Sequence, residues 1–129
     1  MEALIKEKLK RIAADLEATK GELKFFACVR PTINEQKWDI VVSAEWVTAD
    51  SLKADLGVIF DAFKKEFNGE YALRFNGIFP LVTSAPFVKS VTQLFSMTSG
   101  DMELKSVQLG DFAIEEMILI ISRPESSIL

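Results

Sequence analysis

The chain has no histidine, and Cys28 is the only cysteine among its 129 residues. Without histidine, neither a Ser–His nor a Cys–His nucleophile pair can form. One cysteine cannot supply the four ligands of an ordinary zinc site, and a histidine-ligated haem is excluded as well. The composition therefore predicts no metal and no cofactor, although a haem ligand from tyrosine, cysteine or methionine stays formally open.

Long apolar runs are also missing. The longest run, "MILII" at 117–121, is far shorter than the roughly 20 residues of a membrane-spanning helix. The N-terminus is charged and amphipathic, unlike a secretory signal, and a lone cysteine suits a reducing compartment. We therefore expect a soluble, cytoplasmic protein that does not span a membrane.

The sequence lacks a basic stripe, which is the usual electrostatic footprint of a nucleic-acid binder. Lys6, Lys8, Lys10 and Arg11 are interleaved with acidic residues, and the net charge is −4. Residues 101–129 account for this charge, with six acidic against two basic side chains. There is no glycine-rich phosphate-binding loop of the G-x-G-x-x-G or Walker type. Nucleic acid is therefore not an expected partner.

Apolar residues are abundant. Hydrophobic types make up 49% of the chain, and ten residues are phenylalanine. This fraction is at the upper end for a soluble protein, and the length is that of one domain. We expect a single α+β domain over residues 1–129, with some apolar surface left for a partner or a ligand.

Apolar residues at helical spacing predict helices over about 2–19, 51–67 and 86–97. The apolar stripe of the first helix consists of Ile5, Leu9, Ile12 and Leu16. The second helix has the longest apolar stripe, formed by Leu52, Leu56, Ile59, Phe63 and Phe67, with Phe60 broadening it. The segment 70–76 is either a turn or a short helix, and residues 124–129 are expected to be a frayed tail.

The segments 24–33 and 38–47 predict a hairpin with a four-residue loop at 34–37. In this register Val29 faces Val42 and Phe25 faces Trp46, so that every pair on one side is apolar. Pro31 lacks a backbone donor, which predicts either an edge strand or a break in the ladder at that point.

Three further strands follow. "GIFPLV" at 77–82 predicts a buried type of strand. Gly110-Asp111 is typical of a two-residue hairpin turn between the last two strands. The final strand is apolar on both faces from Met117 to Ile121, which predicts a central or covered position.

The predicted order of elements is α-β-β-α-β-α-β-β. A helix that joins two neighbouring strands allows a parallel crossover, and the hairpins add antiparallel pairs. The fold class is therefore α+β, with a mixed, largely antiparallel five-stranded sheet and about three helices in a two-layer arrangement.

One combination of short patterns extends over most of the chain. It begins with Trp38-Asp39, Ser43-Ala44 and Trp46 and continues with a capped helix, the segment "GIFPLVTSAPFV" and a closing hairpin. This combination resembles a group of small, uncharacterised bacterial α+β proteins. The resemblance implies the fold outline and a bacterial cytoplasmic setting. It implies no activity and no functional residues.

In the predicted register, the first hairpin has a second face that mixes apolar and polar side chains, including Val47. Such a mixture is typical of protein–protein interfaces. The interface or ligand candidates are Phe26, Cys28, Arg30, Asp39, Val41, Ser43 and Glu45. Two diagonal ion pairs are expected there, Arg30 with Asp39 and Lys24 with Glu45.

The predicted register sets Cys28 opposite Ser43, with Arg30 on the same face. A nearby cation lowers a thiol pKa, which would make Cys28 reactive. The favoured alternative is a small buried apolar side chain. Asp39 and Glu45 lie roughly 20 Å apart along a strand and cannot act together directly.

Three functions stay open, and no catalytic residue is assigned. The leading hypothesis is a non-enzymatic module that forms a homodimer through a sheet face or edge. The second is binding of a small apolar or planar ligand between helices and sheet, with the phenylalanines and tryptophans as ligand contacts. The third is a histidine-independent enzyme that uses Asp39, Glu45 or Arg30.

Overall fold

The computed structural model describes residues 3–124 of the chain. The helices are α1 (Ala3–Thr19), α2 (Leu52–Glu66) and α3 (Pro86–Thr92), with a 3₁₀ helix at Gly69–Arg74. The strands are β1 (Phe25–Arg30), β2 (Trp38–Ser43), β3 (Phe75–Leu81), β4 (Met102–Leu109) and β5 (Phe112–Ser122). The predictions for Met1, Glu2 and the tail 125–129 lie outside the described residues.

The five strands form one mixed sheet in the order β3-β2-β1-β5-β4. The β2–β3 pair is parallel, and the other three pairs are antiparallel. The predicted α+β class, the order of elements and the parallel pair flanking α2 are confirmed. The short helix predicted as one alternative for 70–76 is the 3₁₀ helix.

The core on one side of the sheet, here called the first core, lies under α1 and α2. The stripe predicted for α1 is buried there, including Leu9 and Ile12. From α2, Ile59 and Phe63 pack against Ile40 and other residues of the central strands. The two long helices thus cover the same face, as expected.

The core on the opposite side, here called the second core, lies under α3. Val88 and Val91 of α3 pack with Val29 of β1 and with Met117 and Leu119 of β5. The central strands β1 and β5 are therefore buried on both faces.

The predicted register of the first hairpin is wrong by three residues. Phe26 pairs with Val42, and Val29 pairs with Asp39. The connection between β1 and β2 is seven residues long, not four. Because side chains alternate along a strand, an odd slip exchanges the faces of one strand relative to the other. Pro31 follows directly after the end of β1, so the predicted break in the ladder is confirmed, while β1 itself is central.

The second hairpin agrees with its prediction. Leu109 pairs with Phe112 across the two-residue turn at Gly110-Asp111. Gly110 has φ +62°, a conformation that glycine adopts without strain. The predicted central position of the apolar final strand is confirmed, because β5 lies between β1 and β4.

Two predictions on the third strand and the third helix are wrong. β3 is an edge strand in which only Phe75 is buried, so it is not the buried strand predicted for 77–82. α3 ends at Thr92 instead of 97, because the chain then turns to lie beside β5. Met97 and Ser122 exchange backbone hydrogen bonds of 2.8 and 2.9 Å there.

Candidate functional site

The residues predicted to share a second face do not share a surface. Phe26 and Cys28 are fully buried in the first core, as is Val47, whereas Val41 belongs to the second core. Ser43 is fully buried, and its hydroxyl has no hydrogen-bond partner among residues 3–124. The prediction of one mixed face is therefore wrong, and the cause is the three-residue slip in register.

Arg30, Asp39 and Glu45 are the three remaining interface or ligand candidates, and they keep exposed atoms. Their role in an interface stays a prediction. The exposed atoms of these three residues can contact a partner without rearrangement of the core.

Cys28 lies opposite Ile40 and not opposite Ser43. Burial raises the pKa of its thiol well above the ordinary value of 9.0, and the negative charge of Asp39 raises the pKa further. A thiol in such a place stays protonated and is shielded from reagents. The interpretation of Cys28 as a small buried side chain is confirmed.

Arg30 binds Glu116 of β5 instead of Asp39. Its Nε lies 3.1 Å from Oε1 of Glu116, and Nη2 contacts the same oxygen. Nη1 donates to the carbonyl oxygens of Thr32 and Glu35 at 3.3 and 3.2 Å. The guanidinium thus ties the 31–37 loop to β5, and the predicted Arg30–Asp39 pair is wrong.

Asp39 and Glu45 differ in burial and do not lie in one site. Asp39 is half-buried beside Asn76, and burial raises the pKa of its carboxyl group although the hydrogen bond from Asn76 lowers it. The side chain of Glu45 is 81% exposed, and its carboxylate lies 4.0 Å from Nζ of Lys24. The predicted Lys24–Glu45 pair is confirmed at that distance. Arg30, Asp39 and Glu45 do not converge on one site.

An apolar groove lies between α2, the 3₁₀ helix and the beginning of β3. Its volume is about 840 Å³, within the range of small-molecule sites. We call it the α2–β3 groove, and the large apolar side chains of its lining are Leu56, Phe60, Phe63, Phe67, Phe75 and Ile78.

The wall of the α2–β3 groove is a continuous aromatic cluster. Phe63 meets Phe75 edge to face at 5.3 Å between ring centroids, and Phe67 lies 4.8 Å from Phe75. Phe60 stacks on Phe63 at 6.4 Å with an interplanar angle of 15°. Phe63, Phe67 and Phe75 are buried, but Phe60 is 47% exposed. The cluster therefore runs from the core out to the surface.

The geometry of α2 explains why Leu56 and Phe60 stay open. At 3.6 residues per turn, they lie about 60° and about 100° around the helix axis from Ile59. Ile59 points into the first core, so Leu56 and Phe60 point past the edge of the sheet. β3 is the last strand on that side, and no further strand among residues 3–124 covers them.

A bulge shapes the opposite wall of the groove. Trp38 pairs with Phe75, but the next residue, Asp39, pairs with Gly77, so that Asn76 is an extra residue in β3. As a result Phe75 and Ile78 both pack towards the first core, although they are three residues apart.

Two lysines, Lys53 and Lys64, are the charged residues at the rim of the groove, and none of the described lining residues is acidic. Nζ of Lys64 lies 5.0 Å from the centroid of Phe60 and 3.7 Å from Oδ1 of Asp61. Lys53 has no ion-pair partner within the described range 3–124. The rim is therefore positively charged.

The predicted candidates included no residue of this groove. The signal in the sequence was Phe60, which makes the apolar stripe of α2 wider than one sheet face can cover. The second hypothesis names phenylalanines and tryptophans as ligand contacts; phenylalanines line the groove, and neither tryptophan does. Trp38 and Trp46 pack on the first core, and Nε1 of Trp46 donates to the carbonyl oxygen of Gly21 at 3.2 Å.

Among residues 3–124, no group of three or more cysteine, aspartate and glutamate side chains is arranged to hold a metal ion. No helix in this part of the chain is long and apolar enough to cross a membrane. Comparison with protein-family models, with curated proteins and with solved structures gives no match to this chain. The resemblance to small bacterial proteins stays a prediction.

Proposed function

We propose that this protein is a non-enzymatic binding module that holds a small apolar ligand in the α2–β3 groove. The observation that carries the proposal is the open end of the aromatic wall, where Phe60 is 47% exposed beside the buried Phe63. Large apolar side chains left open in a concave surface are typical of binding sites. An apolar ligand would remove Leu56 and Phe60 from water and extend the aromatic cluster.

Gly57 supports the proposal independently. A glycine in the interior of a helix costs about 0.5–1 kcal/mol relative to alanine. A Cβ atom at position 57 would meet no atom within 4 Å, so packing does not require the glycine. Gly57 lines the groove, and a missing side chain there keeps the rim open. Access for a ligand accounts for a glycine at this position despite the loss of helix stability.

The groove is tested with phenylnaphthylamine, a neutral apolar dye whose fluorescence rises on burial. We expect saturable binding at one site per chain. Phe60→Ser removes the open end of the aromatic wall and should weaken binding about tenfold or more, since burying such a ring is worth about 1.5–3 kcal/mol.

Phe79→Ser is the matched control for this experiment. Phe79 is also 47% exposed, but it pairs with Val41 and so lies on the second-core face of β3. The substitution Phe79→Ser should therefore leave dye binding unchanged. The proposal is contradicted if the unmodified chain shows no saturable binding. It is also contradicted if both substitutions weaken binding equally while circular dichroism shows that both variants are folded.

Self-association as a homodimer is a second candidate. The two sequence patterns that favour a homodimer are accounted for within a single copy of the chain, because the apolar residues of the mixed face are buried in the two cores and the apolar β5 is central. One observation still favours it. β3 has a strand neighbour on one side only among the described strands, and Phe79 stands exposed on that edge.

Sedimentation equilibrium tests the homodimer. If copies join through β3, the unmodified chain sediments as a dimer, Phe79→Ser shifts it towards monomer, and Phe60→Ser does not. A monomer at all concentrations rules out this candidate without affecting the groove.

The expected setting is a reducing bacterial cytoplasm. Its supports are the resemblance carried by Trp38-Asp39 and Trp46 and the free, buried thiol of Cys28. A free thiol is usual in a reducing compartment.

A further inference from the structure

The charge around the α2–β3 groove is opposite in sign to that of the whole chain. The chain has a net charge of −4. The described lining of the groove nevertheless contains two lysines, Lys53 and Lys64, and no acidic residue. An apolar site with a positive rim favours a ligand that is itself apolar and negatively charged.

Both lysines lie on one side of α2. Lys53, Gly57, Phe60 and Lys64 follow one another at spacings of four, three and four residues, which places them along one stripe of the helix. Since Gly57 has no side chain, the space between Lys53 and the ring of Phe60 is open. A ligand that lies on Phe60 can therefore extend towards Lys53 along the helix.

The two lysines are not equivalent. Lys64 is engaged with the ring of Phe60 and with the carboxylate of Asp61. Lys53 has neither an acidic nor an aromatic partner among residues 3–124. It also occupies the first turn of α2, where the helix dipole is unfavourable for a cation. Neither an ion pair nor the helix dipole accounts for a lysine at position 53.

We infer that the ligand of the α2–β3 groove is a small amphipathic anion. Its apolar body lies against Phe60, Phe63 and Phe75, and its single acidic group binds Nζ of Lys53. This inference rests on the proposed function and adds the chemical class of the ligand. An extended peptide fits less well, because the bulge at Asn76 interrupts the regular edge of β3 where it borders the groove.

A matched pair of dyes tests the acidic group. Anilinonaphthalene sulfonate and phenylnaphthylamine share the same aromatic body, but only the first has a negative charge. We expect the sulfonate to bind the unmodified chain about fivefold to tenfold more tightly, since a charge pair near a protein surface contributes on this scale. The advantage should shrink with added salt, which screens exposed charges.

Lys53→Gln identifies the cation. It should remove most of the advantage of the sulfonate and leave the affinity for the neutral dye unchanged. Lys65→Gln is the matched control, because it makes the same charge change on α2 at a residue that pairs with Asp15 and does not line the groove. Dodecanoate should displace the neutral dye more strongly than dodecanol, and Lys53→Gln should abolish that difference.

The outcomes separate this inference from the proposed function. If both dyes bind equally and Lys53→Gln changes neither affinity, the inference is overturned and the apolar site stands. If neither dye binds, both fail. If the chain is a dimer that either dye dissociates, the occupant of the groove is a second copy and the inference is overturned.

Discussion

The rings of Phe63 and Phe75 meet edge to face, with centroids 5.3 Å apart and planes at 89°. This contact joins α2 to β3, which has only β2 as a strand neighbour in the described part of the chain. The position of β3 relative to α2 therefore depends on aromatic packing as well as on the ladder. The same contact forms the inner wall of the groove.

A double-mutant cycle should detect this contact. We expect Phe63→Leu and Phe75→Leu each to lower the free energy of unfolding by about 1–2 kcal/mol. Their effects should be non-additive by about 0.5–1.5 kcal/mol, because the ring–ring interaction is lost only once. Urea unfolding measures each term. A cycle of Phe63 with Phe87, which packs against the second core, should be additive, and additivity in both cycles would argue against the coupling.

Substitution of Gly57 should separate stability from binding. Gly57→Ala should raise the free energy of unfolding by about 0.5–1 kcal/mol, because alanine has the higher helix propensity. Gly57→Leu should keep the fold but narrow the groove and weaken binding of the neutral dye by about tenfold.

Gly110→Ala is the contrasting control for these two variants. Gly110 has φ +62°, and an added Cβ would lie 2.7 Å from Oγ of Ser90, so this variant should be destabilised. Stabilisation at both glycines, or unchanged dye binding by Gly57→Leu, would contradict the role given to Gly57. Thermal unfolding and fluorescence titration measure the two quantities.

The buried thiol of Cys28 should make stability fall at alkaline pH. Its pKa in the folded chain is raised above the ordinary value of 9.0, so the folded state keeps the proton to higher pH than the unfolded state. The contribution of this group to stability is then complete below about pH 9 and is lost as pH rises above that value. Cys28→Ala should lack this part of the decline.

A thiol-reactive dye gives a second readout on Cys28. The native chain at neutral pH should react only in step with unfolding by urea. Rapid labelling of the native chain, or identical pH profiles for the unmodified chain and Cys28→Ala, would show that the thiol is not protected.

The 31–37 loop should depend on the guanidinium of Arg30. Arg30→Lys keeps the charge but loses the fork that binds Glu116 and the loop carbonyls together, so we expect a loss of about 1–3 kcal/mol. Amide hydrogens of the loop should also exchange faster. Arg11→Lys changes an exposed pair with Glu66 and should cost less than about 1 kcal/mol. Equal costs at the two arginines would contradict the anchoring role.

Much of the fold can be predicted from the sequence, because several signals are local. The stripe of Leu9 and Ile12, the Gly110-Asp111 turn and the two-sided apolar run of β5 each specify one element. The register of the first hairpin cannot be predicted in this way. β1 is buried on both faces, so its apolar residues fit the predicted register as well as the observed one. The two registers are distinguished by the length of the loop, which is seven residues in the structure.

The position of the groove cannot be predicted from the sequence, for a different reason. In the sequence, Leu56 and Phe60 look like Ile59 and Phe63, and all four fit a buried helical stripe. Which of them stay open depends on where the sheet ends, and therefore on the strand order. Phe60 broadening the stripe was a visible sign of excess apolar surface, but it did not show where that surface would lie.

The place of β5 in the sheet also bears on how the protein is synthesised. β5 lies beside β1, so that Phe25 pairs with Ser122 near the other end of the described chain. A chain growing from the ribosome cannot close either core until β5 has emerged. Until then the apolar side chains of β1 lack the β5 residues that cover them on both faces, and such exposed apolar surface favours aggregation of an incomplete chain.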